Sequence, residues 1–462
     1  MKLKELFSAK DMTVGSPWKR IMEFSIPMLL GNVAQQLYNT ADSIIVGHYV
    51  GDNALAAVGS ASPILNLLLA LFVGIATGAG IMVSQSFGAR DRKGLTEAIG
   101  NCISMSFIAS AAIMVIGPLI TMPMLQLLGT PESIIYDCRD YLNIYFLGII
   151  GFFFYNMLSG ILRGLGDSVS ALGFLLLAAA LNVVLDLLFV KDMGVAGVAL
   201  ATIISQAISA VFCYIKLARM KDLFDLGLKG MKLLPNVAGR ILQIGIPSGV
   251  TQAIMATAGM VVLNLTNAMG ETVIACNVVV MRVDGFAMMP NFTFGQAMSV
   301  YTGQNVGAGK FDRVHKGTKQ GSIIAFIFSA AITFSLLFLG KYLFALFTDT
   351  PELIDLACRM IRLMAVGYIC VSVTQVLGGV MRGAGDTVSP MWISMISTIA
   401  IRIPVAYGLA YLTRSEAFPH GQPSALFGSL MFSWAMGMVM TIVVYAAGKW
   451  KKKMYASHTD KE

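Results

Sequence analysis

The residues most able to do chemistry in this chain are carboxylates set in long apolar stretches. Asp42 ends a polar stripe in which Gln35 and Asn39 precede it at helical spacing. Asp186 lies in another apolar stretch, with Asn182 one turn before it on the same helix face. A charged side chain in the centre of a membrane costs about 2.5–3.5 kcal/mol or more, so each carboxylate needs a partner or a function.

Both carboxylates lie near the same end of their helices, and Thr202 in the next apolar stretch comes to a similar depth from the opposite direction. We therefore expect four side chains to converge on one point: Asp42, Asn182, Asp186 and Thr202. Their oxygen atoms are hard ligands that would bind a small cation such as Na⁺. Two neighbouring carboxylates can equally share a proton. The alternatives are a solvated Asp42 near the membrane surface, or a hydrogen-bond network that only locks the helices together.

The elements that position these residues are predicted to be membrane helices. Of the 462 residues, 56% are hydrophobic and 13% are charged, which is too apolar for an ordinary soluble protein. Strands of about ten alternating residues, as in a membrane barrel, are not found. The chain has 12 apolar stretches long enough to cross about 30 Å of hydrocarbon, at approximately 21–46, 53–85, 96–123, 135–158, 168–190, 195–217, 238–265, 273–305, 318–346, 358–381, 388–412 and 424–448.

The distribution of basic residues predicts the orientation of these helices. Lys and Arg cluster before the first helix, after the second and eighth, around the middle of the chain, and after the last helix. All these clusters fall on one side only if both termini are cytoplasmic, so we predict a multi-pass plasma-membrane protein. The net charge of +8 then marks an inner surface that contacts anionic membrane lipids, and no nucleic-acid partner is expected.

Cysteine and histidine give no sign of catalysis or of a resident cofactor. The six cysteines show no CxxC or metal-ligand spacing, and they are interpreted as small buried residues. All four histidines fall in predicted loops or tails. We therefore expect neither an enzyme nor a cofactor, and the only ion required is a coupling ion, H⁺ or Na⁺.

The two halves of the chain repeat each other. The segment from Gly160 to Ser168 returns as Gly379 to Thr387, an offset of 219 residues. We predict an N-lobe at 1–217, a cytoplasmic linker at 218–237 and a C-lobe at 238–462. Two similar membrane halves predict an all-helical fold of two six-helix bundles around a central cleft, the arrangement of many transporters. A monomer is expected, because that cleft would lie within one chain.

The halves do not share their acidic residues. The counterparts of Asp42 and Asp186 in the second half are Val262 and Val405. We therefore expect the coupling site in the N-lobe alone.

The second half has charged residues of its own in predicted membrane helices, Arg282, Asp284 and Arg402. We expect them to form a buried ion-pair network that satisfies itself. Alternatively, Asp284 meets a cationic substrate or relays between the halves. The 30 methionines suit adaptable packing around varied hydrophobic molecules. We expect the substrate cavity to include Gln35, Asn39, Asn156, Asp284 and Met288.

The repeated loops contain Arg163 with Asp167, and Arg382 with Asp386. Glycine-rich loops can cradle phosphate, but neither of these follows a strand, so a loop-clamping Arg–Asp pair is the better interpretation.

Pro27 lies in the first helix and matches Pro247 in the second half. A helical proline removes a backbone hydrogen bond and allows a bend. The repeat favours a structural role at the start of each half, and the alternative is a hinge coupled to Asp42.

The combination of twelve spans, two halves and a half-ending Arg-Gly-x-Gly-Asp-Ser/Thr motif resembles the multidrug and toxic compound extrusion (MATE) family. The segments that carry the resemblance are Leu37–Asp42, Arg163–Ser168, Gly194–Thr202, Gly303–Gly309 and Arg382–Thr387. The resemblance implies an exporter of lipophilic, often cationic compounds that antiports H⁺ or Na⁺. It also points to the same four positions as an N-lobe cation site. The family's NorM-type branch has acids in helices seven and ten, whereas this chain has none in the core of either, which favours the DinF-like branch.

The sequence thus predicts a secondary active multidrug exporter that works by alternating access. The alternatives within the superfamily are a lipid-linked precursor flippase and a metabolite exporter. A flippase should have a cationic cavity for diphosphate, and the N-lobe acids argue against it. A passive channel would not need a pair of acids confined to one half.

Overall fold

The computed structural model describes residues 8–50, 52–127, 129–226, 232–416 and 418–459. Its long elements are all helices, which confirms the predicted fold class. The helices of the first half are α1 (Pro17–Tyr49), α2 (Asp52–Gly88), α3 (Arg92–Leu127), α4 (Glu132–Leu147), α5 (Ile149–Gly164), α6 (Ser168–Met193) and α7 (Val195–Ala218). Those of the second half are α8 (Pro235–Ala268), α9 (Glu271–Gly307), α10 (Phe311–Phe344), α11 (Pro351–Gly383), α12 (Val388–Met395), a π-helical segment (Ile396–Ile401), α13 (Arg402–Leu412), α14 (Ser424–Ala447) and α15 (Lys449–Thr459).

The described helices include most of the 12 predicted membrane spans. Ten of them are long and apolar enough to cross a membrane, counting α12 to α13 as one, and the pair α4–α5, which bends by 54°, makes eleven if it forms a single span. The bend lies at Gly148, which is packed against the Ile203 side chain. Helix α1 has 33 residues and is also long enough to span, but its polar stripe lowers its mean hydropathy.

The chain forms two compact units whose boundaries do not coincide with the predicted lobes. The first unit contains Ile26–Gly249 and the described residues before Met12, and the second contains Met12–Ser25 and the chain from Val250 onwards. The start of α1 therefore belongs to the second unit, and the start of α8 belongs to the first. In each half, the beginning of the first helix therefore belongs to the unit that the other half mainly forms.

Hydrogen bonds in each unit explain this exchange. In the second unit, the Met12 amide donates to the Gln304 side chain at 2.8 Å, and Arg313 donates to the Met12 carbonyl at 3.0 Å. In the first unit, the Leu234 amide donates to the Asn101 side chain at 2.7 Å. The segments before α1 and α8 are thus held by equivalent regions of the two units.

Close helix packing in the first unit depends on glycines of the repeated motif. Helix α5 packs against α2, α3 and α7. A Cβ atom at Gly164 would lie 2.6 Å from the Gly80 carbonyl oxygen on α2, and one at Gly160 would lie 3.0 Å from the Ala76 carbonyl oxygen. Small residues four positions apart allow two membrane helices to approach backbone to backbone.

The second unit repeats this packing at the same offset. Helix α11 packs against α9, α10 and α14. A Cβ atom at Gly383 would meet the Ser299 carbonyl oxygen on α9, and one at Gly379 would meet the Gly295 carbonyl oxygen. The glycines of the repeated motif therefore serve helix contact in both units.

The loop aspartates have different partners from those expected. Asp167 accepts hydrogen bonds from the Ser170 amide at 2.9 Å and hydroxyl at 2.7 Å, and it forms an ion pair of 3.7 Å with Lys216. Arg163 instead donates to the Ser159 hydroxyl at 3.1 Å. The predicted Arg163–Asp167 pair is therefore wrong, because Asp167 caps the following helix and its charge is matched by a lysine from α7.

Asp386 has the same arrangement in the second unit. It accepts hydrogen bonds from the Ser389 hydroxyl at 2.6 Å and amide at 3.4 Å, and from Lys453 of α15 at 3.0 Å. The Arg382 side chain lies near Gly378, one turn back on its own helix. The expected Arg382–Asp386 pair is wrong for the same reason.

We predict that Asp167→Ala and Asp386→Ala each lower the free energy of unfolding by about 1–2 kcal/mol, the usual effect of losing a helix cap. Asp→Asn at either position should cost less, because asparagine also caps a helix. Thermal unfolding of the purified variants in detergent measures both effects. Equal losses for the alanine and asparagine variants would show that the lysine pair, and not the cap, stabilises the loop.

Candidate cation site

The candidate site lies in the first unit and is built by helices α1, α6 and α7. Asp42 is on α1, Asn182 and Asp186 are on α6, and Thr202 is on α7. Gly194 separates α6 from α7 with a φ of 57°, a left-handed conformation that suits glycine. The chain reverses there, so α7 packs along α6 and brings Thr202 opposite Asn182.

Asn182 joins the predicted residues into one cluster. With its amide nitrogen directed at the carboxylates, it donates to Asp42 Oδ1 at 2.6 Å and to Asp186 Oδ2 at 3.1 Å. Its carbonyl oxygen then accepts from Thr202 Oγ1 at 3.2 Å and from the Thr202 amide at 3.3 Å. The opposite orientation would place the amide oxygen against two carboxylates, which is electrostatically unfavourable. The structure thus brings all four predicted residues together.

The two carboxyl groups also lie close together, because Asp42 Oδ1 and Asp186 Oδ2 accept hydrogen bonds from the same Asn182 nitrogen. Two carboxylates held this close repel each other unless a proton or a cation binds between them. The cluster therefore has the geometry of a site that takes up positive charge.

Burial separates this cluster from bulk water. Asn182 and Asp186 are fully buried, and Asp42 is partly exposed. The Oδ1 atom of Asp186 has no hydrogen-bond partner among the described residues. This oxygen is available to a cation that enters beside Asp42. The donor set, two carboxylates with amide and hydroxyl oxygens, fits Na⁺ as well as a proton.

Tyr38 is a member of the site that sequence reasoning missed. Its hydroxyl group is hydrogen-bonded with the side chains of Asp42 and Thr202. Tyr38 lies one turn before Asp42 on α1, and that spacing was the available signal. Two further buried tyrosines of α4, Tyr141 and Tyr145, interact electrostatically with Asp42. Three tyrosine side chains therefore lie near the carboxylates.

We predict that Tyr38→Phe slows ion-driven transport by about tenfold without abolishing it, which is the usual effect of losing a group that orients an ion ligand. The hydroxyl positions Asp42 but carries none of the charge that the ion requires. Rates at several ion concentrations would measure this effect. Complete loss of transport would show that Tyr38 is itself essential for ion binding.

The other residues predicted to line a substrate cavity have different surroundings within their own units. Gln35 donates to the Asn39 side chain at 3.4 Å, one turn apart on α1. Asn156 donates to the Phe152 carbonyl at 2.9 Å and lines an apolar cavity of about 300 Å³ in the first unit. Met288 is only 8% exposed and packs in the hydrophobic core of the second unit. The structure therefore does not place Met288 in an open cavity.

The charged residues of the second unit differ from the expected network. Asp284 accepts a hydrogen bond from the Tyr368 hydroxyl at 2.9 Å, and Arg282 is exposed. Arg402 interacts electrostatically with Asp284, but its Nε atom has no hydrogen-bond partner among the described residues. The expectation of an ion-pair network that satisfies itself is therefore wrong. Val262, the counterpart of Asp42, is buried in the hydrophobic core.

Pro27 lies inside α1, directly after the boundary between the two units at Ser25 and Ile26. Pro247, its counterpart inside α8, lies two residues before the other boundary. A proline leaves one carbonyl of the preceding turn without its helical hydrogen bond, so bending is easiest there. Both prolines thus mark the points where a helix passes from one unit to the other.

Comparisons with known proteins agree with this two-unit fold. A model of the family MatE matches residues 27–188 and again 247–408. The probable multidrug resistance protein YpnP of Bacillus subtilis is 31% identical over 446 residues, which cover 96% of this chain and 98% of that protein. The probable multidrug resistance protein YoeA of the same organism is 26% identical over 449 residues, 95% of each chain.

Among solved structures, a crystal structure described as MATE in complex with MaL6 aligns with a TM-score of 0.86. The alignment covers 97% of this chain and 98% of that one at 23% identity, and it shows the shared fold. The family match in both halves shows that this chain belongs to the MATE family, whose members are multi-pass membrane transporters and not enzymes.

Proposed function

We propose that the protein is a secondary active exporter of lipophilic or cationic compounds, driven by inward movement of H⁺ or Na⁺ through the site at Asp42 and Asp186. The observation that supports this most directly is the closeness of the two carboxyl groups, which accept hydrogen bonds from the same Asn182 nitrogen. Such a pair binds one positive charge and is unfavourable without it. The relatives YoeA and YpnP are both named as probable multidrug resistance proteins, which supports export of drugs.

The mechanism follows from this electrostatic requirement. When the site has lost its ion, the repulsion between Asp42 and Asp186 favours a different arrangement of α1 and α6, the two helices that carry them. Binding of an external ion restores the closeness of the carboxyl groups. Because Pro27 interrupts the hydrogen bonding of α1, that helix can follow the change by bending. The ion and the substrate would then favour opposite states, which is the requirement for antiport.

The membrane potential sets a lower limit on the ions required. Exporting a monovalent cation against an inside-negative potential costs about 2.3 kcal/mol per 100 mV. Import of one cation in each cycle cancels this charge movement and leaves the ion gradient as the driving force. The basic residues predict that both termini lie in the cytoplasm. In this orientation, the helix ends nearest to Asp42 and Asp186 face the outside, from which the coupling ion enters.

Efflux of ethidium from proteoliposomes tests the proposal. Purified protein is reconstituted, the vesicles are loaded with ethidium, and either a pH gradient or a Na⁺ gradient is imposed. We expect efflux above that of protein-free vesicles with one of the two gradients, and the effective gradient identifies the ion. Efflux that continues at the same rate without any gradient would indicate a channel. Absence of efflux under every condition would reject the proposed function.

A further inference from the structure

The segment Met12–Ser16, called the strap below, leads directly into α1 and belongs to the second unit. It forms only turns and bends, yet Met12 is 1% exposed and Thr13 is 5% exposed. A buried irregular segment is stable only when other groups bind its backbone amides and carbonyls.

Two cations at the start of α10 bind the carbonyl oxygens of the strap. Arg313 donates to the Met12 carbonyl at 3.0 Å and to the Gly15 carbonyl at 2.8 Å. Lys310, which directly precedes the helix, donates to the Thr13 carbonyl at 2.9 Å. Hydrogen bonds from charged donors are about twice as strong as those from neutral donors. Two side chains thus hold three carbonyl oxygens of the strap.

Two side chains at the end of α9 complete this binding. The Met12 amide donates to Gln304 Oε1 at 2.8 Å, and Asn305 donates to the Met12 carbonyl at 3.3 Å. Asn305 Oδ1 also accepts from Arg313 Nε at 3.0 Å, which orients the guanidinium. These four side chains, Gln304, Asn305, Lys310 and Arg313, are called the clamp below.

The start of α1 is attached to the second unit as well as the strap. Helix α1 begins at Pro17, directly after the strap. The Trp18 amide donates to the Gln320 side chain of α10 at 2.9 Å. Two points of attachment fix both the position and the direction of the first turn. From this fixed end, α1 passes into the first unit at Ile26 and carries Asp42 there.

The two cations of the clamp have no counterpart in the first half of the sequence. At the repeat offset of 219, Lys310 and Arg313 correspond to Asp91 and Gly94. The Asp91 side chain accepts a hydrogen bond from the Gly94 amide at 2.8 Å and therefore caps its own helix. These cations thus hold the segment before α1, the helix that contributes to the candidate cation site, and the segment before α8 is held by other residues.

We propose that the clamp is the fixed point against which α1 bends, and that Arg313 is the positioning residue that keeps the strap there throughout the transport cycle. Ion binding displaces α1 at Asp42, and Pro27 is where the helix yields. A helix transmits such a displacement only when its other end is held. Without the clamp, the start of α1 would move with the displacement. This inference rests on the proposed export function, and it names the residues that couple ion binding to substrate movement.

Replacement of Arg313 tests this coupling. Arg313→Gln removes the charge-assisted hydrogen bonds to the strap, and we expect gradient-driven ethidium efflux to fall at least about tenfold, within the usual range of coupling between two sites. Ion binding should be unchanged. It is measured as the part of the ion-dependent rise in unfolding temperature that Asp42→Asn removes. Lys316→Gln is the matched control, because Lys316 is exposed on the same helix and lies outside the clamp, and it should change neither quantity.

A cross-link that replaces the clamp should restore the coupling. Trp18→Cys and Gln320→Cys can be joined by a short bifunctional thiol reagent, since the Trp18 amide lies 2.9 Å from the Gln320 side chain. In the Arg313→Gln variant, we expect the cross-link to restore efflux. With Arg313 present, the cross-link should leave efflux unchanged, because the start of α1 stays on the second unit in every state. Wild type treated with the same reagent is the control for the native cysteines.

The strap can also be followed without transport. Thr13→Cys places a thiol at a buried position of the strap, so its rate of labelling by a maleimide reports how often the strap leaves the clamp. We expect equally slow labelling with and without the coupling ion. Arg313→Gln should make labelling at least about tenfold faster, because the loss of a charge-assisted hydrogen bond favours local opening by that factor or more.

Three results would overturn the inference. In the first, Arg313→Gln is less stable but exports ethidium at the wild-type rate, so that the clamp is only structural. In the second, this variant loses ion binding together with efflux, so that Arg313 acts on the ion site. In the third, the cross-link abolishes efflux when Arg313 is present, or the ion alone accelerates labelling of Thr13→Cys, so that the strap leaves the clamp during transport.

Failure of the proposed export function has a different signature. In that case the wild type exports no ethidium under either gradient. The labelling rates of Thr13→Cys, with and without Arg313→Gln, then still decide whether the clamp holds the strap permanently.

Discussion

Replacing Asp42 or Asp186 by asparagine is expected to reduce gradient-driven efflux to the rate of protein-free vesicles. Each change preserves the shape of the side chain but removes the negative charge that the coupling ion requires. The single remaining carboxylate would still accept hydrogen bonds from Asn182, so the fold should survive. Efflux of ethidium under the effective gradient measures the loss, and thermal unfolding shows whether each variant is folded.

Asp192→Asn is the matched control for this experiment. Asp192 lies on α6, like Asp186, but it is exposed near the end of the helix. It should transport at the wild-type rate. If Asp42→Asn and Asp186→Asn both keep gradient-driven efflux, the site at α1 and α6 is not the coupling site. If only one variant loses efflux, a single carboxylate carries the ion and the other is a structural partner.

The second large effect is expected at the motif glycines. Gly164→Ala and Gly383→Ala should each destabilise the protein by about 1–3 kcal/mol or more, because the new methyl group meets backbone that cannot move independently. At Gly164 the obstacle is the Gly80 carbonyl oxygen, and at Gly383 it is the Ser299 carbonyl oxygen. The temperature at which half of each purified variant stays monodisperse in detergent measures this effect.

Two other helical glycines serve as controls. A Cβ atom at Gly259 or Gly408 would have no neighbouring atom within 4 Å. Alanine at these positions should leave stability unchanged or raise it slightly, because alanine favours the helix more than glycine. Similar stabilities for Gly164→Ala, Gly383→Ala and the two controls would mean that α2 and α5, or α9 and α11, can separate at little cost.

Sequence alone determined the helical fold, the two similar halves and the confinement of the acid pair to the first half. Hydrocarbon imposes these features directly. A helix must be long and apolar to span the hydrocarbon. A charged side chain within the hydrocarbon costs free energy, so it indicates a partner or a function. The common depth of Asp42, Asn182, Asp186 and Thr202 could be counted from helix ends, because a helix rises by a constant amount per residue. Likewise, the repeat of Gly160–Ser168 could be read without any coordinates.

Tertiary structure decided which side chains are partners. Asp167 and Asp386 are paired with Lys216 and Lys453, which are far away in the sequence, and not with the arginine of their own loop. Tyr38 interacts with both Asp42 of its own helix and Thr202 of α7, which the sequence does not place beside it.

The same holds for Arg402, which the sequence predicted to lie in a closed ion-pair network. A π-helical turn directly precedes Arg402, and no residue pattern indicated that turn. Spacing along a helix determines depth and face in a membrane. The rotation of each helix and the identity of its neighbours depend on how all the helices pack, and these decide which charges meet.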